Sequence, residues 1–191
     1  EGAAQVVSVV NTRVDPANEG KLVHVSGETV AAQAVRDSDF GFDAKGLRLV
    51  RKVEMYQWEE EKRSETQKKL GGGEETITRY TYSRKWSDKA IDSSKFRQSA
   101  DHRNPPMPSV GSRSFAAPDA KVGAFSLNDR VISLLPASEK FDIPVSAQAQ
   151  AQARLGPRTR IEQGTVYAGA NPAQPTVGDV RVSWELLPVS P

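Results

Sequence analysis

The sequence predicts an α+β fold that is built mainly on an antiparallel sheet, with two short helices inserted between its later strands. Two long runs rich in β-branched and aromatic residues, at 47–60 and 75–87, stand on either side of a glycine-rich connector. This pattern is typical of a long antiparallel hairpin. Two later segments, at 129–135 and 145–155, have the composition of helices. Helices that interrupt a series of strands in this way indicate an α+β arrangement.

The segment before the hairpin is predicted to contain two strands around a turn. Residues 15–20, DPANEG, are dense in turn-forming residue types. In the stretch that follows, Val23 and Val25 alternate with His24, which is typical of a strand. His24 is therefore interpreted as a sheet residue rather than as part of a site.

The hairpin carries most of the tyrosines and tryptophans of the chain. Side chains two positions apart on a strand lie on the same side of a sheet. If the two strands pair about residue 68, their even-numbered aromatic residues share one face. This candidate interaction face consists of Tyr56, Trp58, Tyr80, Tyr82 and Trp86. The face either binds a partner, a glycan or a lipid headgroup, or packs beneath helices of the protein itself, and the second interpretation is favoured because aromatic residues are common in strands.

Three consecutive glutamates, Glu59, Glu60 and Glu61, stand at the end of the first strand of the hairpin, and Lys62 and Arg63 come directly after them. Carboxylate oxygens suit Ca²⁺ or Mg²⁺. However, successive residues of a strand point to opposite faces, so a continuous run is poor ligand geometry. The run is interpreted as the solvated tip of the hairpin, and no metal site is predicted.

A polar cluster lies in the proline-rich connection that follows the hairpin. Residues 101–123 contain four prolines and little periodicity, which predicts a long irregular loop. Asp101, His102 and Asn104 form a candidate polar loop site within it. A histidine can act as a general base or a pH sensor near neutrality. No serine or cysteine nucleophile motif accompanies it, so a hydrogen bond that anchors the loop is favoured over catalysis.

End signals support the two predicted helices. Asn128 is a suitable N-cap for the segment 129–135, and Pro136 ends it. The segment 145–155 is rich in alanine and glutamine and stops at Gly156. Its alternating pattern also fits a strand, but a helix is favoured.

Two further strands are predicted at the end of the chain, at 160–169 and 177–188. In the last of them, Val180, Val182 and Trp184 are expected to face one way. The intervening residues Asp179, Arg181 and Ser183 are expected to face the other way.

The composition excludes several classes of function. The 26 basic and 24 acidic residues are interspersed and give a net charge of +2, whereas nucleic-acid-binding proteins usually carry a basic excess or stripe. The absence of cysteine excludes disulfides, thiol catalysis and cysteine-based zinc sites. The chain has two histidines, so it offers few candidate residues for a multi-histidine metal site or a histidine-dependent triad. We therefore predict no enzymatic activity, no cofactor and no nucleic-acid partner.

Length and hydropathy predict one domain outside the bilayer. A chain of 191 residues is long enough to bury a real core. No window approaches the roughly 20 apolar residues that a membrane-spanning helix needs, and no secretory leader opens the sequence. The whole range 1–191 is expected to form a single extramembrane domain.

Five segments in the same order resemble the transmembrane protein 43 (LUMA) family. They span nearly the whole chain, although none is a catalytic signature. The segments are NEGKLVHVSG (18–27), LVRKVEMYQWEE (49–60), TRYTYSRKWSDKAIDSSKF (78–96), HRNPP (102–106) and VGDVRVSW (177–184).

The resemblance implies an integral membrane protein with one helix before a large hydrophilic domain and further helices after it. This chain would be the hydrophilic domain, without the flanking membrane helices. Eukaryotic members lie in the endoplasmic reticulum and inner nuclear membrane, associate with themselves and interact with emerin and lamins. Bacterial members also exist, and the alanine- and glutamine-rich segment and the absence of cysteine favour one of these. The binding of emerin or lamins by eukaryotic members is therefore not expected of this chain.

Two functional hypotheses follow from the resemblance and the absence of a catalytic motif. The first is a non-enzymatic interaction or scaffold domain of a membrane-anchored protein, which supports self-association or membrane organisation. Its partners would be further copies of itself or other membrane proteins, with the periplasmic or lumenal side favoured for its location. The alternative is a module that binds lipid or polysaccharide through the aromatic sheet face.

Overall fold

The structure is a computed structural model that describes residues 7–9, 23–25, 29–31, 34–118, 120–122, 125–126 and 139–188. This part of the chain contains fourteen strands and one short α-helix, α1, at Gln148–Leu155. The strands are β1 (Val7–Val9), β2 (Val23–Val25), β3 (Thr29–Ala31), β4 (Val35–Asp37), β5 (Phe42–Ala44), β6 (Gly46–Lys68), β7 (Glu74–Ser87), β8 (Arg113–Ala116), β9 (Ala120–Val122), β10 (Phe125–Ser126), β11 (Glu139–Phe141), β12 (Thr159–Glu162), β13 (Thr165–Ala168) and β14 (Val180–Pro188).

Seven strands form the main sheet, and all of its pairings are antiparallel. The strand order is β12–β13–β14–β6–β7, with β8 added on β6 and β11 added on β14. Three smaller groups also form: β4 pairs with β5, β3 pairs with β9 beside β10, and β1 pairs with β2 in parallel. The predicted turn at 15–20, between β1 and β2, lies outside the described residues. The prediction of a mainly antiparallel sheet is confirmed.

The predicted long hairpin is formed by β6 and β7, but its register differs from the expected one. The strands pair about residue 71 rather than residue 68, with Tyr56 opposite Trp86 and Lys68 opposite Glu74. The chain reverses at Gly71, where φ is 92°. Glycine adopts this left-handed conformation without the steric cost that a side chain brings. The strands therefore extend as far as the glycines, and the shift of three positions keeps even-numbered residues on one face.

The arrangement with two helical insertions is not borne out. The described residues contain α1, which follows a 3₁₀ turn at Val145–Ala147 and buries Ala151 in the core. At its end the N–H of Gly156 donates to the carbonyl of Gln152 at 2.8 Å. The helix predicted at 129–135 lies outside the described residues.

The core lies on the inner face of the main sheet, beneath the β4–β5 hairpin and the 3₁₀ turn and helix at 145–155. Trp184 is 1% exposed and meets the rings of Phe40 and Phe42 edge-on, with centroids 5.0 and 5.4 Å apart. Val180, Val182 and Trp184 share one face of β14, as predicted, and the structure shows that this face is buried. Aliphatic residues of β6 complete the core, with the inner positions Leu49, Val53 and Met55 all buried.

An ion pair between Arg51 and Asp37 lies inside this apolar layer. Nη1 of Arg51 donates to both carboxylate oxygens of Asp37, at 2.9 and 3.0 Å, and both side chains are almost fully buried. Nε of Arg51 donates to the carbonyl of Gly111 at 2.9 Å, and Nε1 of Trp184 donates to Asp37 at 3.0 Å. A buried pair needs such additional hydrogen bonds to offset the loss of hydration. The network thereby joins the β4–β5 hairpin and the loop before β8 to the sheet.

In the part of the chain that the structure describes, no helix has the length and apolar character of a membrane span.

Candidate interaction face

All five residues of the candidate interaction face lie on the outer side of the main sheet. Their odd-numbered neighbours on β6, Val53, Met55 and Gln57, are buried on the inner side. The five aromatic side chains are half-buried. The interpretation that α-helices cover them is wrong for the described residues, because α1 packs into the core on the opposite side. What lies against part of this face is the irregular loop at 88–106.

Trp58 and Tyr82 form the first aromatic cluster together with His102 from the loop. The imidazole stacks on the ring of Tyr82, with centroids 3.7 Å apart and planes 11° apart. It also meets Trp58 edge-on, with centroids 4.8 Å apart. Phe96 packs against Tyr82 as well, with ring centroids 5.9 Å apart. The candidate polar loop site and the candidate interaction face are therefore one site in the folded chain.

Nδ1 of His102 donates to the carbonyl of Gln98 at 2.8 Å, within the same loop. This contact matches the favoured interpretation of the histidine as a residue that anchors the loop. Asp101 lies in the 3₁₀ turn at Ser99–Asp101 and is exposed, so it takes no part in the cluster.

The side-chain amide of Asn104, the third residue of the loop site, forms the hydrogen bonds to β6 that a neighbouring strand would otherwise form. Its Oδ1 accepts from the N–H of Trp58 at 2.6 Å, and its Nδ2 donates to the carbonyl of Trp58 at 3.0 Å. Nδ2 also donates to the carbonyl of Ile91 at 3.1 Å. β14 begins at Val180, which pairs with Met55, so β14 does not reach Trp58 on β6. The amide of Asn104 therefore pairs with the N–H and the carbonyl of Trp58 in place of a strand, and it fixes the loop to the sheet.

Glu60 links the loop to Tyr82, because its carboxylate binds both of them. Its Oε2 accepts from the hydroxyl of Tyr82 and from the N–H of Arg97, both at 2.7 Å. The N–H of Gln98 donates to the Tyr82 oxygen at 3.0 Å. Burial raises the pKa of the Tyr82 hydroxyl, and the hydrogen bond to Glu60 raises that pKa further.

The predicted solvated tip at Glu59, Glu60 and Glu61 is wrong, because β6 continues without interruption to Lys68. The alternation of side chains separates the three carboxylates, so Glu60 lies on the outer face while the other two point inward. Glu59 forms an ion pair with Lys85, and Glu61 forms one with Arg63 at 3.0 Å. The charge of the run is typical of a turn, but the glycines that begin ten positions later set the reversal.

The loop begins with a capped 3₁₀ turn at Ser93–Lys95. Asp92 caps it, since its Oδ1 accepts from the N–H of Ser94 at 3.0 Å. The hydroxyl and the N–H of Ser94 both bind this carboxylate and hold the pKa of Asp92 below its usual range.

The second aromatic cluster lies closer to the centre of the sheet. Tyr56 packs against Trp86 at 5.2 Å, and Trp86 meets Tyr167 of β13 at 6.0 Å. The guanidinium of Arg181 lies over Trp86 at 4.4 Å, and that of Arg160 lies over Tyr167 at 5.7 Å. The first cluster has a similar contact, in which Arg84 lies over Trp58 at 5.4 Å.

The two clusters and their arginines form what we call the aromatic–arginine band. It consists of Tyr56, Trp58, Tyr82, Arg84, Trp86, His102, Arg160, Tyr167 and Arg181. Tyr80, the remaining residue of the predicted face, lies further along the hairpin, opposite Lys62.

Sequence reasoning did not identify Tyr167 as part of this surface, nor Asp179 as its buried partner. The hydroxyl of Tyr167 donates to Oδ2 of Asp179, and the N–H of Thr176 donates to the same oxygen at 3.1 Å. Burial and the hydrogen bond to Asp179 raise the pKa of Tyr167. Asp179 faces away from Val180, Val182 and Trp184, as expected, and its bond to Tyr167 lies on that side, but its burial to 2% exposure was not predicted. Gly169 leaves room for this carboxylate, because a Cβ at that position would overlap it.

Among residues 34–118 and 139–188, no three histidine or acidic side chains converge as a metal-binding group. The band therefore consists of aromatic planes and guanidinium groups on a hydrogen-bonded scaffold. Such groups contact partners through stacking, cation–π attraction and charge-assisted hydrogen bonds.

Comparison with known proteins gives a consistent result across the chain. The family model described as Transmembrane protein 43 matches residues 55–191. The chain is 33% identical to mouse Transmembrane protein 43 and 31% identical to the human protein, in each case over the whole chain and 46% of the relative. The Transmembrane protein 43 homolog of Drosophila melanogaster is 27% identical over 86% of the chain and 42% of its own length. The chain thus spans about half the length of these relatives, and no solved structure matches it.

Proposed function

This chain belongs to the transmembrane protein 43 family, and from this premise we propose that it is a non-enzymatic, extramembrane interaction domain of a membrane-anchored protein. Its partners are further copies of itself or other membrane proteins, and its role is self-association or membrane organisation. The relatives are named as transmembrane proteins, which supports anchorage through segments outside the described residues. The domain then lies outside the bilayer, on the periplasmic or lumenal side.

The observation that carries this proposal is the aromatic–arginine band. Tyrosine, tryptophan and arginine are the residue types that most often dominate the binding energy of protein interfaces. Tyr56, Trp58, Tyr82 and Trp86 are half-buried and Arg84 and Arg181 are exposed, so these residues keep surface for a partner, whereas Tyr167 is 7% exposed and supports them from below. The hydrogen bonds of Asn104 and Glu60 hold the loop in place and order the rings before binding. Such preorganisation reduces the entropy that association costs.

The arrangement of His102 supports a non-enzymatic role. One ring face stacks on Tyr82, the edge contacts Trp58, and Nδ1 is engaged by the carbonyl of Gln98. A general base needs a free nitrogen directed at a reacting group and a partner that orients the ring for that task. Here the ring packs the loop onto the sheet.

The proposal is tested with the intact membrane protein that contains this chain, carrying two different affinity tags on two co-expressed copies. Copies and neighbouring membrane proteins are recovered together after cross-linking in the membrane. Arg84→Ala and Arg181→Ala should reduce recovery severalfold, because each removes a guanidinium that stacks on a tryptophan. Arg36→Ala is the matched control, since Arg36 is similarly exposed (55%) but belongs to the β4–β5 hairpin. Absence of any co-recovered protein from the wild type, or equal losses in all three variants, would contradict the proposal.

The alternative function, binding of lipid or polysaccharide, is favoured by one observation. Three arginines of the band lie over aromatic rings, at 4.4 to 5.7 Å from their centroids. Sugar rings stack on aromatic planes, and guanidinium groups bind phosphate or carboxylate groups in a bidentate manner. Co-sedimentation of the chain with phosphatidylserine vesicles, and with an anionic polysaccharide, tests this alternative. It requires binding that Arg181→Ala weakens and Arg36→Ala leaves unchanged.

A further inference from the structure

We propose that the outer edge of β7 pairs with the same edge of a second copy of this chain, so that two main sheets join into one continuous antiparallel sheet. This inference rests on the proposed interaction function. It assigns self-association to one strand edge and one register; β7 also contributes Tyr82, Arg84 and Trp86 to the aromatic–arginine band, which lies on the outer face of the sheet.

The edge of β7 is long and open. The strand has 14 residues (Glu74–Ser87) and is the last one in the order of the main sheet. Within the described residues it pairs with β6 alone, so its other edge presents a row of backbone N–H and C=O groups. Such an edge is a template for a further strand. Pairing with a second β7 would satisfy these groups.

The outer half of the hairpin also lacks support from the rest of the described fold. The pairing of β14 with β6 ends at Met55, whereas β6 and β7 go on together as far as Lys68 and Glu74. The side chains of residues 61–76 are all exposed. A two-stranded ribbon alone is only marginally stable in water, and further strands stabilise it. A second copy would turn the two-stranded ribbon into a four-stranded one.

The charge pattern of β7 selects another β7 as the occupant of this edge. The strand begins with Glu74 and Glu75 and carries Arg84 and Lys85 near its end. Antiparallel pairing of two identical strands places the acidic start of one beside the basic end of the other, whereas parallel pairing would place like charges together. The result is a self-complementary contact about a twofold axis, which closes as a dimer.

The same charges select the register in which Tyr80 of one copy lies opposite Tyr80 of the other. Glu75 then lies opposite Lys85, once on each side of the twofold axis. A centre at Arg79 would set the two Arg79 side chains against each other, and a centre at Tyr82 would set Arg79 against Lys85. A centre at Thr81 would place Glu75 opposite the neutral Ser87. The register centred on Tyr80 thus forms opposite-charge pairs without a like-charge contact.

The contacts within one copy leave this pair available. Glu75 lies opposite Gln67, a neutral residue, on its own β6. Lys85 contacts Glu59, but its side chain remains 51% exposed. The twofold axis stands perpendicular to the sheet, so the outer faces of both copies lie on the same side. The two aromatic–arginine bands would then belong to one larger surface.

Disulfide trapping in the 191-residue chain tests the register, because the chain has no cysteine. Directly opposite residues have Cβ atoms about 4.5–5.5 Å apart, which a disulfide spans after a small adjustment. Tyr80→Cys should therefore give a covalent dimer under mild glutathione oxidation. Ser83→Cys is the matched control on the same strand, since the two copies of residue 83 would lie about 20 Å apart. Equal cross-linking of both variants, or none at residue 80, would overturn the proposal.

Analytical ultracentrifugation with charge variants tests whether β7 of a second copy pairs with this edge. Glu75→Lys should raise the dissociation constant of the dimer at least tenfold, because it sets two lysines against each other twice. Combining it with Lys85→Glu should recover affinity to within about threefold of the wild type. A wild type that stays monomeric at high micromolar concentration, or a double variant as weak as the single one, would overturn the proposal. These experiments can contradict pairing through β7 while Arg84→Ala and Arg181→Ala still reduce co-recovery from membranes. In that case the proposed function stands and only the assignment of self-association to the β7 edge is wrong.

Discussion

The imidazole of His102 lies flat on the ring of Tyr82, with the two ring centroids 3.7 Å apart. One residue belongs to an irregular proline-rich loop and the other to a 14-residue strand. Their contact fixes the path of the loop across the outer face of the sheet. It also decides how much of Trp58 and Tyr82 a partner can reach.

Replacing His102 by Ala should loosen this loop without unfolding the sheet. A ring pair of this kind contributes about 0.5–1.5 kcal/mol beyond the area that it buries. We expect hydrogen exchange of the amides of Arg97 and Gln98, which donate to Glu60 and Tyr82, to accelerate at least severalfold. Exchange in β14 should stay unchanged. Arg103→Ala, at an exposed neighbouring position, is the control. Unchanged exchange at both amides would show that the stacking does not hold the loop.

Replacing Asn104 by Ala should affect both the loop and the edge of β6. The amide makes two bonds to the backbone of Trp58 and one to the carbonyl of Ile91. Leaving such partly buried groups unpaired costs about 1–3 kcal/mol. Urea unfolding should report this loss of the free energy of unfolding. Asp101→Ala, three residues earlier and exposed, should change it by less than about 0.5 kcal/mol. Similar losses in the two variants would contradict the strand-substitute role of Asn104.

The hairpin and the last strand could be predicted because their side chains follow a period of two over many residues. The alternation in β14 predicts that Val180, Val182 and Trp184 share one face, and the structure confirms this and shows that the face is buried. The register of the hairpin could not be predicted as reliably. It depends on which residues form the turn, and a charged run at 59–63 resembles a turn as strongly as the glycines do.

The loop contacts and the buried charges depend on tertiary structure, which local sequence does not encode. Nothing near His102 indicates that it will meet Tyr82, twenty residues earlier in the chain. Arg51 offered a weak signal, because it interrupts the apolar alternation between Leu49 and Val53. Its partner Asp37 lies in the polar, glycine-containing stretch RDSDFGFDAKG (36–46), whose composition is typical of a solvated loop. An isolated charge in an apolar strand face is thus a reason to search for a buried counter-ion.

Removing one partner of the buried ion pair should destabilise the whole chain. Asp37→Asn leaves the guanidinium of Arg51 buried with less compensating charge. Breaking a buried pair in this way costs about 3–5 kcal/mol. We expect a fall of this size in the free energy of unfolding, measured by urea titration with circular dichroism. Asp43→Asn is the control, because the ion pair of Asp43 with Arg36 is exposed on both sides. A loss below about 1 kcal/mol for Asp37→Asn would contradict the central role of this pair.

Alanine substitutions at three tryptophans should separate the surface from the core. Trp184 is 1% exposed, so Trp184→Ala should cost about 3–5 kcal/mol or prevent folding. Trp58 and Trp86 are half-buried, and each substitution there should cost clearly less, about 1–2 kcal/mol. Recovery of partners in the membrane assay should nevertheless fall for Trp58→Ala and Trp86→Ala. If their stability losses match that of Trp184→Ala, the outer face is a second core rather than a binding surface.

The hydroxyl of Tyr167 should make stability depend on alkaline pH. Its pKa is raised above the ordinary value near 10 by burial and by the hydrogen bond to Asp179. The folded chain therefore keeps a proton that the unfolded chain releases above pH 10. This contribution is fully present below pH 10 and is lost as the pH rises further, by up to about 1.4 kcal/mol per pH unit.

Tyr167→Phe cannot donate to Asp179, so it should be less stable than the wild type by about 1–3 kcal/mol at pH 7. It also has no hydroxyl to titrate, so its stability should fall less steeply above pH 10. The gap between the two proteins should narrow between pH 10 and 11.5 in urea unfolding experiments. Lysine titration affects both proteins alike and cancels in the difference. A gap that stays constant over this range would show that the Tyr167–Asp179 bond does not raise the pKa of the hydroxyl in the folded chain.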